Sequence, residues 1–411
     1  MLGPRRSQGR GCRSRWPTAG PELGGRWRSS KFLEESENGA RRAATRRQCN
    51  TIVSLYQHAT RGKLRLARTI PRRNHHVRLD VTTAMLSTRL TELLDCDHPV
   101  MLAGMGGVSY ATLVAAVSEA GGFGTLGAAP MGLDRLKREM SEVRDQTSAP
   151  FGVDLLTALP GGMEEQVDAV IAGGASVFVA GLGVPREVVD QCHRAGVMVM
   201  NMCGKVRHAI AAVEAGCDVV IAQGTEAGGH TGTVATMPLV PQVVDAVGDR
   251  VPVVAAGGIF DGRGLAAALA LGADGVWVGT RFIATPEAHV VSGYREALVD
   301  GHDDDTVITR AYTGKTLRAV RNDYTQFFQE NPDELARFPD QIGRSMSDGA
   351  MHLGAPPDTD DIDPAKECYA AGQGLGGIRE VVPAGDLVHR FVAEAEAELD
   401  RLASLRIGAD R

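Results

Sequence analysis

The sequence predicts an α/β fold, a (β/α)8 TIM barrel, and three observations predict it. Short runs rich in Val, Ala and Ile alternate with helical periods eight times from residue 100 onward, at a spacing of about 25 residues. Those runs are apolar throughout, as strands covered on both faces require. Several end in glycine-rich loops, which suits a barrel whose working face is the carboxyl end of its strands. The first unit carries Gly104-Met105-Gly106-Gly107. It lacks a third glycine at the spacing of the dinucleotide fingerprint, which argues against an open doubly wound sheet.

The elements follow in order. A strand over 100–103 precedes that loop, and Ser109 is placed to N-cap a helix over 110–120. Gly121-Gly122 ends the helix, and 123–126 is the next strand. The helix over 133–144 shows Leu133, Leu136, Met140 and Val143 on one face. Next come strand 151–155, helix 163–172, strand 176–180, helix 186–195, strand 197–202, helix 206–215 and strand 218–222. A helix over 239–247 leads to the last two units: strand 252–256, helix 261–272 and strand 274–278. After Glu287 the regularity stops. Residues 290–299 read as helix, 306–312 as strand, 313–380 as irregular and 387–402 as a closing helix. The acidic run at 358–363 reads as a solvated loop. We therefore expect a barrel over 85–285, a small C-terminal cap over its mouth at 286–380, and a closing helix and tail at 381–411.

The 411 residues, 43% hydrophobic with 50 glycines, suffice for one such barrel and its appendages. The net charge of −6 hides an asymmetry. Residues 1–84 hold 19 basic and 5 acidic side chains, against 25 and 45 in the remainder. Pairs such as Arg41-Arg42 and Arg46-Arg47 sit in no sustained apolar period, so a disordered basic N-terminal extension is expected. A nucleic-acid-binding tail, a transit peptide and an artefact of start-site choice are its three readings. A start at Met85 is favoured because the globular pattern begins there, and no nucleic-acid partner is expected. No apolar run approaches the roughly 20 residues of a membrane span, so no membrane partner is expected either. The seven cysteines, Cys12, Cys49, Cys96, Cys192, Cys203, Cys217 and Cys368, form no C-x-x-C pair. They predict neither a metal site nor a disulfide framework, and fit reduced thiols in the cytoplasm.

Two glycine clusters carry the chemistry. The first is Gln223-Gly224-Thr225-Glu226-Ala227-Gly228-Gly229-His230-Thr231-Gly232, at the end of an apolar run. Glycine admits close backbone approach to a ligand, and His230 supplies a side chain that titrates near neutrality. The second comprises Gly257-Gly258 and Trp277-Val278-Gly279-Thr280, with a helix between. Successive strand-end turns of this kind hold a phosphate on backbone N–H groups in the last two units of a barrel. The other strand ends present Gly104-Met105-Gly106 and Asp154. No H-x-H, paired carboxylates or nucleophile elbow accompanies them. Such a mouth performs little beyond one acid–base step, so the hard chemistry is assigned to an organic cofactor with a phosphate.

With Ala115-Ala116-Val117-Ser118-Glu119-Ala120-Gly121-Gly122, Phe151-Gly152-Val153-Asp154 and Ala371-Gly372-Gln373-Gly374, these motifs resemble the nitronate monooxygenase family. That family comprises flavin barrels and includes flavin-dependent enoyl-thioester reductases. The resemblance spans roughly residues 86–395. It implies FMN, with the phosphate at Gly258 and at Trp277, Val278, Gly279 and Thr280. It implies Gln223, Gly228 and the adjoining Gly229 beside the ring and ribityl chain, and Gly104, Met105 and Gly106 near the ring. It makes His230 the catalytic base or proton donor. Two positions depart from the family pattern. Asp154 stands where Asn is frequent, and an ionised carboxylate there would accept from flavin N3–H but disfavour the anionic reduced ring. Ala103-Gly104-Met105 stands in place of Ala-Pro-Met.

The function expected from the resemblance is oxidation of alkyl nitronates with O2 to a carbonyl compound and nitrite. The alternative is an NAD(P)H-dependent FMN reductase of enoyl thioesters on CoA or an acyl carrier. A carrier partner would call for a basic rim, for which Arg310, Lys315, Arg318 and Arg321 are candidates, although a solvated face is the favoured explanation of them. A third, non-catalytic reading is a barrel that only carries flavin. A homodimer is compatible with all three.

Overall fold

The computed structural model describes residues 86–129, 131–156, 163–181, 183 and 185–405. The basic segment 1–84, and with it the readings of its disorder and of a start at Met85, lies outside the described residues. The barrel strands are β1 (Val100–Leu102), β2 (Gly124–Gly127), β3 (Phe151–Leu156), β4 (Val177–Gly181), β5 (Met198–Cys203) and β6 (Val219–Gln223). A two-residue strand β7 (Gly229–His230) lies outside the barrel, and β8 (Val253–Ala256) and β9 (Gly275–Val278) complete it. All eight pair in parallel in the order β1-β9-β8-β6-β5-β4-β3-β2. A parallel bridge from Met101 to Phe123 closes the ring between β1 and β2. Each strand lies within one residue of its predicted span, because an unbroken apolar run is legible wherever both faces are covered.

Inside the ring, Met101, Phe123, Val179, Met200, Ile221 and Trp277 belong to one buried cluster. Leu90 and Leu94 of the helix Arg89–Leu94 join it from below and plug the floor. That plug is tied down by the Arg89–Asp274 ion pair at 2.8 Å and by the Thr88 hydroxyl, which donates to Asp274 O at 2.7 Å. A larger apolar layer lies between the strands and the outer helices.

Three local expectations are corrected. Ser109 does not cap the helix Ala111–Glu119; the residue at the cap is Tyr110, and Ala111 N–H donates instead to Glu139 at 2.9 Å. Ser109 Oγ accepts from Met105 N at 2.7 Å and so closes the first loop. The helix predicted from 239 begins at Thr236. Pro238 falls in its first turn, where a missing N–H costs no hydrogen bond. Residues 313–347 are not irregular, whereas 348–372 carry neither helix nor strand, as expected. Strand β10 (Thr306–Thr309) pairs with β11 (Leu317–Val320), and the helices Asp323–Glu330 and Asp340–Ser347 follow. Tyr312, Leu317, Tyr324 and Phe328 give this segment its own apolar core.

Two features position the site. β11 also pairs antiparallel with β7, placing Leu317 opposite His230. The histidine loop is therefore the edge of a three-stranded sheet. The closing helix, Ala384–Ser404, packs against Gly262–Ala270 and Ala111–Glu119. It is the eighth barrel helix, separated from its strand β9 by the whole of the intervening segment.

Candidate active site

The carboxyl ends of the barrel strands open into a cavity of about 950 Å³. Gly104, Met105, Gly106 and Asp154 line one side of it. Gln223, Gly228, Gly229 and His230 line another, and Gly257, Gly258, Trp277, Gly279 and Thr280 a third. Of the sequence-predicted residues only Val278 is not brought to it. Its side chain, 1% exposed, faces the outer apolar layer, because alternate residues of a strand point to opposite faces. Its carbonyl accepts from Ala103 N and holds β9 to the first loop.

The phosphate turns meet the requirement set for them. Gly257 and Gly258 adopt φ of +103° and +74°, a region that side chains disfavour. A Cβ on Gly258 would lie 3.2 Å from Glu226 Cβ. The N–H groups of Gly258, Ile259 and Thr280 have no protein acceptor among the described residues. Orphaned N–H groups beside a cavity are what an anionic oxygen satisfies. Gly372 N donates to Thr280 Oγ1 at 3.0 Å, leaving the hydroxyl proton free for a ligand. The Gly257-Gly258 turn is stitched to the histidine loop by Thr236, whose hydroxyl donates to Gly257 O at 2.9 Å while its N–H donates to Glu226 at 2.9 Å. These residues fit a flavin mononucleotide phosphate.

His230 Nε2 lies 3.0 Å from the Thr313 hydroxyl, and Gln223 Nε2 donates to His230 O at 2.8 Å. Nδ1 has no protein partner among the described residues. Burial, and then the nearby charge of Lys315, lowers the imidazole below its ordinary range, so it is neutral at pH 7 and ready to accept a proton. Lys315 Nζ is itself held over the Phe338 ring at 4.0 Å. The sequence pointed to neither partner's role. Thr313 lies 83 residues beyond His230 and carries no motif. Of the four cations offered for a basic rim, only Lys315 lines the cavity. Arg318 is spent on Thr225 O at 3.0 Å and on Thr306 at 3.1 Å.

Burial decides the protonation state of Asp154, which the sequence left open. Its residue is 6% exposed, and burial pushes its carboxyl up to about 8. Among the described residues no protein group hydrogen-bonds the side chain. At neutral pH it is a carboxylic acid facing the cavity, able to donate as well as accept.

The comparisons with known proteins agree on one family for this barrel. The nitronate monooxygenase family model matches residues 87–394. The chain belongs to the nitronate monooxygenase family. A probable nitronate monooxygenase of Staphylococcus saprophyticus is 35% identical over 302 residues, covering 62% of this chain and 84% of that protein. The (3aS,4S,5R,7aS)-5-hydroxy-7a-methyl-1-oxo-octahydro-1H-indene-4-carboxyl-CoA dehydrogenase of Mycobacterium tuberculosis is 41% identical over 242 residues, 59% of this chain and 68% of that protein. The solved nitroalkane oxidase of Streptomyces ansochromogenes superposes with a TM-score of 0.65 at 32% identity, covering 76% of this chain and 99% of its own. Membership of the nitronate monooxygenase family makes this chain an oxidoreductase. Among the described residues no group of three His, Cys, Asp or Glu side chains could hold a metal, and no helix is long and apolar enough to cross a membrane.

Proposed function

We propose that the protein is an FMN-dependent nitronate monooxygenase that oxidises alkyl nitronates with O2 to a carbonyl compound and nitrite. The observation that carries this is the neutral His230 imidazole at a cavity whose glycine turns offer unpaired amides. Bound FMN supplies the redox chemistry that no side chain here provides. Gly258, Ile259 and Thr280 hold its phosphate through N–H groups. Gln223 sits beneath the histidine loop and fixes it through the His230 carbonyl. His230 removes the α-proton of a neutral nitroalkane, or polarises the nitro group of a nitronate already formed. Thr313 holds the imidazole ring in place for either task. Apolar walls formed by Met105, Ile283 and Leu317 limit water around the reacting carbon. The five described cysteines are unpaired, which fits a reducing, cytoplasmic setting.

A second reading is favoured by one observation. The cavity runs on past the histidine to Lys205, His208 and Ala211 on the helix Val206–Ala215. Such an arm suits a longer anionic substrate, and one relative is named for a CoA thioester. Anaerobic mixing separates the readings. Bleaching of the yellow protein by a nitronate and not by NADH supports the first; bleaching by NADH and not by a nitronate overturns it in favour of an enoyl-thioester reductase.

A further inference from the structure

A second, smaller pocket of about 270 Å³ lies on the far side of the phosphate turns. Phe260 lines both cavities and divides them. The pocket gathers four guanidinium groups, Arg263, Arg281, Arg379 and Arg390, and three carboxylates. Each carboxylate is already engaged. Asp261 pairs with Arg263, Glu380 pairs with Arg390 at 2.6 Å, and Glu394 accepts from Gly262 N at 2.9 Å. Arg281 and Arg379 have no carboxylate within 4.0 Å among the described residues.

Arg281 is the unusual member. It is 5% exposed, yet its only hydrogen bonds are two long ones from Nη1, to Ala284 O at 3.4 Å and Glu380 O at 3.3 Å. Among the described residues Nε and Nη2 donate to no protein acceptor, and both retain some exposure beside the pocket that Arg281 lines. Glu380 and Glu394 favour its charge through space while Arg390 opposes it, but no carboxylate pairs with it directly, and a buried cation is best served by a paired counter-charge. Arg379 stands at the rim, where Nη1 donates to Gly301 O at 2.7 Å and its other nitrogens remain free. Two guanidinium forks facing one small space suit a tetrahedral oxyanion better than a single-point ion.

We propose that the pocket floored by Arg281 and rimmed by Arg379 is a binding site for a small oxyanion of the inorganic phosphate class, separate from the central cavity. Arg281 directly follows Thr280, so an anion held there braces from outside the same turn whose inner N–H groups face the central cavity.

The test is calorimetric titration of the FMN-saturated protein with inorganic phosphate at constant ionic strength, with sulfate, acetate and chloride as comparison anions. One saturable site is expected for phosphate and sulfate, with acetate and chloride at least tenfold weaker. Arg379→Ala is expected to weaken phosphate tenfold or more, and Arg281→Met to abolish it. Should Arg281→Met fail to fold, Arg379→Ala decides alone. No saturable binding, equal binding of all four anions, or unchanged phosphate affinity in Arg379→Ala overturns the proposal. Flavin absorbance reads the FMN proposal separately: a protein that takes up no FMN but still loses phosphate binding in Arg379→Ala overturns the flavin reading and leaves this one standing.

Discussion

A Cβ built on Gly104 would lie 2.2 Å from the Cβ of Asp154. The two positions at which the chain departs from its family's usual motifs therefore touch each other. The absence of a side chain at 104 makes room for the carboxyl at 154, which sits buried at the end of β3 with no protein partner. The two positions are one feature of the site, and they place a protonatable group in its wall.

Gly104→Ala is expected to destabilise the protein by about 1–3 kcal/mol, the range for forcing extra volume into packed structure. In an Asp154→Gly background, which removes the opposing Cβ, the same change should cost much less. Thermal unfolding of the four proteins measures the coupling, and additive losses would show that the two residues act independently.

Asp154 makes stability depend on pH in a definite direction. Its folded carboxyl titrates near 8 instead of 3.8, so the folded state holds a proton that the unfolded chain has lost across that interval. The folded state binds more protons, and stability falls as pH rises, by about 1.4 kcal/mol per pH unit for one such group. Asp154→Asn removes the titration. The variant should gain on the native protein steadily between pH 5 and pH 8. Parallel denaturation curves at the two pH values would contradict a protonated Asp154.

His230→Ala should retain FMN while slowing turnover of a neutral nitroalkane about 100-fold, the scale of a lost general base. A preformed nitronate should suffer less, since its proton is already gone. The acid limb of the rate profile should lie below the ordinary histidine range, because burial and then Lys315 disfavour the imidazolium. Lys315→Met should move that limb upward. A limb that stays put, or moves down, would remove Lys315 from the electrostatics of the base.

Gly258→Val should yield colourless protein. Its φ of +74° disfavours a β-branched residue, and the added atoms would press on Glu226 and on the N–H groups that face the cavity. Flavin absorbance after purification, with circular dichroism to establish folding, reads the outcome. A folded, yellow variant would place the phosphate elsewhere.

Much of this site was legible because it is built from local signals. An apolar run covered on both faces marks a strand wherever it falls, so all eight barrel strands were read within a residue. Glycine at a strand end marks close backbone approach, and His230 stood out as the one histidine in such a loop, a side chain that titrates near neutrality. The sequence by itself thus determined the barrel, its working face and the residue best suited to move a proton there.

What remained depends on which distant segments meet. Thr313 reaches His230 across 83 residues, and β7 exists only because β11 arrives to pair with it. The helix Ala384–Ser404 completes the barrel only after a long excursion, and the strand's alternation turned Val278 outward while its neighbours turned in. Only the tertiary structure decided these, and with them the proton on Asp154 and the burial of Arg281 with no carboxylate paired to it among the described residues. Burial and partnership set a group's protonation and its need for a ligand, and both are properties of the packed chain that no local pattern encodes.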